Sequence, residues 1–130
     1  MKIGTAGRRG YWPGERHAEW TASCVDDLLR ELPRERLVWG GDWNHAMTGP
    51  EWAGSIGGRG AIVRALEKLD LRVPTADLPH RIEGLLSIDH VAVPRGTVVG
   101  GVGRHEAVDG DLRRLSDHDA YVVEIGAATG

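Results

Sequence analysis

The sequence predicts a mixed α/β (α+β) domain in which one mainly antiparallel or mixed sheet is flanked by two helices. Three observations support this class. Residues 15–32 carry apolar side chains with helical spacing, residues 37–40 form a short apolar run after Pro33, and several β-prone segments follow toward the C-terminus. A helix joined by a short loop to a buried strand is typical of α/β architecture. With 130 residues, the chain forms one domain or less.

The elements are predicted in the order α, β, α, β, β, β. Apolar residues at every third or fourth position define the first helix, and Pro33 ends it. A second helix over residues 61–69 is entered through a glycine-rich segment that lacks the Lys-Ser/Thr ending of a nucleotide-binding loop. The remaining predicted segments are strands at 85–93, 97–108 and 120–125, loops at 45–60 and 71–84, an irregular segment at 1–14 and a loose tail at 127–130.

The amino-acid composition and net charge limit the classes of function that the chain can have. Hydrophobic content of 41% and charged content of 27% are typical of a soluble globular domain spanning residues 15–126. The chain has no apolar run long enough for a membrane span and no signal-peptide pattern, so a cytoplasmic location is the default expectation. A net charge of −3 argues against tight nonspecific binding of nucleic acid, which needs several cations facing phosphates.

Three short acidic motifs lie next to predicted strands, where a rigid frame can support a site. They are Gly-Asp-Trp-Asn at 41–44, Ser-Ile-Asp-His at 87–90 and Ser-Asp-His-Asp at 116–119. Their side chains suit metal-assisted phosphoester hydrolysis. Asp117 is the candidate Mg²⁺ ligand, because Mg²⁺ takes carboxylate oxygens. Four residues are candidates for catalysis. His118 would donate a hydrogen bond to a phosphoryl oxygen or shuttle a proton, with Asp89 behind its ring. Asn44 would donate a hydrogen bond to the phosphate, and Asp42 would position the attacking water.

Each motif also has a purely structural interpretation. Asp42 and Asn44 favour turns after a strand, and Asp117 can cap a turn with Ser116. His90, inside a predicted strand, is interpreted as a packing or surface residue. The other histidines lack paired ligand spacing, so no zinc site is predicted among His17, His45, His80 and His105.

The three motifs in this order make the chain resemble the endonuclease/exonuclease/phosphatase superfamily, which has the DNase I-like fold. The resemblance runs from about residue 15 to residue 125. It implies a four-layer α/β/β/α sandwich, a Mg²⁺ (or Mn²⁺) cofactor, and a phosphoester substrate that is a nucleic acid or a small phosphorylated molecule. It also implies that Asp42 and Asn44 act at water and phosphate, that Asp89 orients His118, and that Asp117 lies at the metal.

The chain departs from the family pattern in three ways. Trp43 stands where Phe is common, and Ala120 stands where Pro is common. Above all, a complete domain of the family is roughly twice as long, so the resemblance covers only its C-terminal half. Half of such a sandwich leaves one apolar sheet face uncovered. The expectations are therefore weak or absent hydrolysis by the isolated chain, and a homodimer or partner chain covering that face. The alternative function is a non-catalytic module that binds through it.

Overall fold

The computed structural model of the chain describes residues 14–126, with side chains from Arg16 onward. Two helices and five strands make it a mixed α+β structure, as predicted. In chain order, the elements are α1 (Gly14–Glu31), β1 (Trp39–Asp42), α2 (Ile56–Lys68), β2 (Leu71–Arg72), β3 (Asp89–Pro94), β4 (Val99–His105) and β5 (Ala120–Ile125). The segments predicted to be irregular at 1–14 and loose at 127–130 lie, apart from residue 14, outside the described residues.

The strands form two small antiparallel sheets, so the prediction of one sheet was wrong. The first sheet has the order β1-β3-β2, and the second pairs β4 with β5. Strand β5 packs near β3 but pairs with β4. The four-layer sandwich implied by the resemblance stays a prediction.

Strand boundaries differ from the sequence prediction except at β5, where the predicted span is confirmed. The strand predicted at 85–93 begins only at Asp89. Before it, the backbone pairs with the preceding loop, because the Ser87 amide donates to the Leu78 carbonyl and the His80 amide to the Leu85 carbonyl. The first strand extends to Asp42, so this residue ends the strand instead of following it.

The core lies between the helices and the first sheet. Its fully buried members come from α1, α2, β2 and β3, and the partly buried Trp39 and Trp43 pack against them. The buried side chains of this cluster are Val25, Ile62, Ala65, Leu66, Leu69, Leu71 and Ala92. Neither helix in residues 14–126 is long and apolar enough to cross a membrane.

Helix α2 begins at Ile56, five residues before the predicted start at residue 61. Ser55 is its N-cap, and the Ser55 hydroxyl accepts the Gly58 amide N–H at 3.0 Å. The glycines that suggested a loop lie inside the helix, because close packing requires one of them. A Cβ added to Gly57 would stand 2.6 Å from the Ala18 Cβ of α1, so α1 and α2 approach each other through a glycine.

Gly57→Ala is therefore expected to destabilise the protein by about 1–3 kcal/mol, because neither methyl group can move without shifting a helix. Gly60→Ala is the matched control in the same helix. Its Cβ would meet only the flexible Arg64 guanidinium, at 3.2 Å. The free energy of unfolding of Gly60→Ala should rise by up to about 1 kcal/mol, because alanine favours the helix more than glycine does. Urea unfolding measures both variants, and a Gly57→Ala protein as stable as the Gly60→Ala protein would contradict the packing argument.

Candidate active site

The β1–β3 register places two candidate carboxylates opposite each other. Asp42 ends β1, Asp89 begins β3, and the two residues are direct cross-strand partners. Side chains of such partners share one face of the sheet, and like charges there repel. The pair of aspartates therefore favours a cation between them.

The His118 imidazole, on the turn before β5, supplies a group that can carry this charge. Its Nδ1 lies 2.7 Å from the Asp89 Oδ2, which is a short hydrogen bond. Its Nε2 lies 3.6 Å from the Asp42 Oδ2, within ion-pair range but too long for a direct hydrogen bond. Residues from three distant parts of the chain thus meet in one cluster, here called the Asp-Asp-His cluster: Asp42, Asp89 and His118.

The carboxylates raise the pKa of His118. The hydrogen bond to Asp89 is the largest cause, burial opposes it, and the charges of Asp89, Asp42 and Asp117 add to the increase. The imidazolium form is consequently favoured, with Nδ1–H donating to Asp89. Nε2–H then remains available to donate toward a ligand.

Replacing Asp89 with asparagine is expected to lower the pKa of His118, because the largest stabilising partner of the imidazolium is removed. A raised pKa also means that His118 stabilises the fold fully below about pH 6.5, and that this contribution disappears as the pH rises through the folded pKa. NMR titration of the His118 ring in metal-free wild type and Asp89→Asn measures the shift. Equal midpoints in the two proteins would contradict the assigned role of Asp89.

Asn44 is placed differently from Asp42, Asp89 and His118. Its backbone N–H donates to the Asp42 Oδ1 at 2.9 Å, and its φ of 55° is a left-handed conformation that asparagine tolerates. The turn interpretation of this motif is therefore realised in the structure. The hydrogen bond from the Asn44 amide also fixes the position of the Asp42 carboxylate. The described contacts include no hydrogen bond from the Asn44 side chain to the Asp-Asp-His cluster.

Asp117, the predicted metal ligand, lies beside the cluster and is not one of its three members. Its side chain is exposed, and its charge contributes to the raised pKa of His118. Its backbone carbonyl accepts a hydrogen bond from the Arg81 Nε at 2.7 Å.

Sequence reasoning missed the role of Asp119, which anchors the turn carrying His118. The Asp119 carboxylate is fully buried and contacts the Arg104 Nη1 at 3.2 Å and the Arg114 Nη1 at 2.8 Å. It also accepts the Ala107 amide N–H at 2.9 Å. Burial alone would raise the pKa of Asp119, but these hydrogen bonds and the two arginines lower it overall. The only sequence signal was an acidic residue at the start of an apolar strand.

Ser87 is a second missed residue, and it fixes Asp89. Its buried hydroxyl accepts the Asp89 amide N–H at 3.0 Å and donates to the Asp89 carbonyl at 2.7 Å. This local turn holds the backbone of Asp89 at the point where β3 begins. The Ser-Ile-Asp-His motif at 87–90 therefore contains one cluster residue and one residue that positions it.

His90 is a packing residue, one of the two alternatives considered from the sequence. It is 1% exposed, and burial lowers its pKa. Its Nε2 lies 2.9 Å from the His45 carbonyl, and its Nδ1 lies 3.3 Å from the Thr75 hydroxyl. Since a carbonyl only accepts, Nε2 carries the proton and Nδ1 accepts from Thr75. Both ring nitrogens are used structurally.

The donor set of the Asp-Asp-His cluster fits a divalent cation. One ligand atom from each of its residues lies within 4.8 Å of the others. Carboxylates suit Mg²⁺ and Mn²⁺, and an imidazole nitrogen suits transition metals better than Mg²⁺. In the described part of the chain, the Asp-Asp-His cluster is the only group of three His, Cys, Asp or Glu residues close enough together to hold a metal ion.

Comparisons with protein-family models, curated proteins and solved structures found no match for this chain.

Proposed function

We propose that the chain carries a divalent-metal-dependent phosphoester hydrolase centre of the endonuclease/exonuclease/phosphatase type. The observation that supports it best is the convergence of Asp42, Asp89 and His118, which are far apart in sequence, at one end of the β1–β3 strand pair. The resemblance of the three motifs to that superfamily points to the same chemistry. The substrate class is a phosphoester, either nucleic acid or a small phosphorylated molecule.

In this proposal, His118 acts as an oriented imidazolium. Asp89 fixes the ring through Nδ1, and the hydrogen bond between them raises the pKa of His118, which favours a protonated Nε2. Nε2–H donates to a phosphoryl oxygen and then protonates the departing ester oxygen as the P–O bond breaks. Asp42, held by the Asn44 amide, orients the attacking water and accepts its proton.

Asp117 and the free carboxylate oxygens of Asp42 and Asp89 would hold Mg²⁺ or Mn²⁺. A bound divalent cation offsets the negative charge of the phosphate. The protein residues contribute separately by keeping the imidazole and the carboxylates in fixed positions before substrate arrives.

The test is hydrolysis of bis(4-nitrophenyl) phosphate with Mg²⁺ or Mn²⁺. We expect slow, metal-dependent turnover that a chelator abolishes and that Asp117→Ala reduces by at least about tenfold. Asp111→Ala is the matched control, since Asp111 is an exposed aspartate on the β4–β5 connection. No turnover above buffer, or a rate indifferent to metal and to Asp117→Ala, would contradict the proposal.

A second candidate function, a self-associating module without catalysis, is favoured by the second sheet. Its strands and their flanks expose four apolar side chains, at 42–51% of their surface: Val98, Val102, Val122 and Ile125. The β4–β5 register places Val102 on one face of this sheet and Val122 on the other, so both faces expose apolar side chains. Exposed apolar surface is typical of an interface. Sedimentation should show a dimer that the double variant Val102→Lys/Val122→Lys converts to a monomer, with no metal-dependent rate in either. A monomeric wild type would exclude this function.

A further inference from the structure

Arg81 reaches the candidate site from the segment between β2 and β3. Its Nε donates to the Asp117 carbonyl oxygen at 2.7 Å, and Asp117 directly precedes His118. This contact fixes the guanidinium at the rim of the turn that carries His118. Arg81 is exposed to solvent.

The charge of Arg81 and the charge of the cluster residue Asp89 both act on the His80 ring, which is next to Arg81 in the chain. Burial lowers the pKa of His80, the charge of Arg81 lowers it further, and Asp89 raises it. His80 itself is held by Trp52, whose ring packs edge-on at 4.7 Å between centroids. The loop that carries Arg81 is therefore packed in place beside the site.

Arg81 forms no ion pair with any carboxylate in residues 14–126. The two other arginines that reach this turn differ in this respect, because Arg104 and Arg114 both bind the buried Asp119. A guanidinium that is exposed, anchored through Nε and paired with no carboxylate among the described residues retains its terminal donors for another anion. Its planar donor fork matches the oxygens of a phosphate group.

We propose that Arg81 binds a phosphate next to the scissile one, so that the preferred substrate is an oligonucleotide-like phosphodiester with neighbouring phosphates. This inference rests on the proposed hydrolase function. The scissile phosphate would meet His118 Nε2, whereas Arg81 is anchored to the backbone carbonyl of Asp117, one residue earlier. The guanidinium is therefore placed for the adjoining phosphate along a strand.

The test compares two thymidine dinucleotides, one with a phosphate at both ends and one with neither. Dissociation constants are measured by NMR titration without metal, and KM and kcat with Mn²⁺. Wild type should prefer the terminally phosphorylated dinucleotide by about tenfold, and Arg81→Gln should abolish this preference in both Kd and KM. The slope of log Kd against log salt should also decrease by about 0.7 for the one phosphate contact removed.

Arg64→Gln is the matched control, because Arg64 is an exposed arginine on α2. It should keep the preference. An unchanged preference in Arg81→Gln, or an equal loss in Arg64→Gln, would overturn the inference. If wild type hydrolyses neither dinucleotide, the hydrolase proposal is wrong. The metal-free binding preference then still decides whether Arg81 holds a phosphate.

Discussion

Replacing His118 with glutamine is expected to lower metal-dependent hydrolysis of bis(4-nitrophenyl) phosphate by about 10²- to 10⁴-fold, the usual contribution of a positioned acid or base. Glutamine can still donate a hydrogen bond, but it cannot carry the positive charge that Asp89, Asp42 and Asp117 favour on the imidazole. The loss should therefore fall on kcat more than on KM, because the charge is most useful as the leaving oxygen becomes negative.

The matched control for this variant is His105→Gln, on the exposed end of β4. Its rate should stay within about twofold of wild type, because surface substitutions away from the site rarely disturb it. A His118→Gln protein that retains more than about a tenth of the wild-type kcat would remove His118 from the proposed chemistry. Circular dichroism of both variants separates a catalytic loss from unfolding.

The second large effect is expected from Asp119→Asn, which should lower the free energy of unfolding by about 3 kcal/mol. The Asp119 carboxylate is fully buried between Arg104 and Arg114, and neutralising it leaves both guanidinium groups without their partner. The figure is at the lower end for a broken buried pair, because the arginine side chains are 24% and 37% exposed and water screens them in part.

Urea unfolding of Asp119→Asn should be compared with Asp109→Asn, a carboxylate whose partner Arg113 is 77% exposed. The control should lose much less stability than Asp119→Asn, because water screens its ion pair. Because the pKa of Asp119 is lowered in the folded state, its stabilisation is present above about pH 4 and is lost as the pH falls through the folded pKa. A similar decrease in the free energy of unfolding of the two variants would show that Asp119 does not anchor the turn that carries His118.

The sequence predicted which residues form the site better than it predicted how they meet. Each acidic motif is visible locally, next to an apolar segment. The meeting of Asp42 with Asp89 depends on the β1–β3 register, and no single segment contains that information. The predicted strand at 85–93 placed Asp89 in its interior, whereas the structure places Asp89 at the first position of β3.

Two of the features that sequence reasoning missed depend at least in part on contacts between residues far apart in the chain. Asp119 is explained only by Arg104 on the neighbouring strand and by Arg114 before the turn. The early start of α2 depends on the Ser55 cap and on space for Gly57 against Ala18 of the other helix. Local propensity favoured a loop at these glycines, and helix packing overrode it.

Above all, we propose that Asp42, Asp89 and Asp117 hold a divalent cation next to the His118 imidazolium. The most direct measurement is NMR of the histidine rings during Mn²⁺ titration, because a bound paramagnetic ion broadens only nearby signals. We expect the His118 ring signals to broaden at low Mn²⁺ while those of His105 stay sharp, and the double variant Asp42→Asn/Asp89→Asn to lose this selectivity. Equal broadening of His105 and His118, or a His118 ring that stays sharp, would contradict the account.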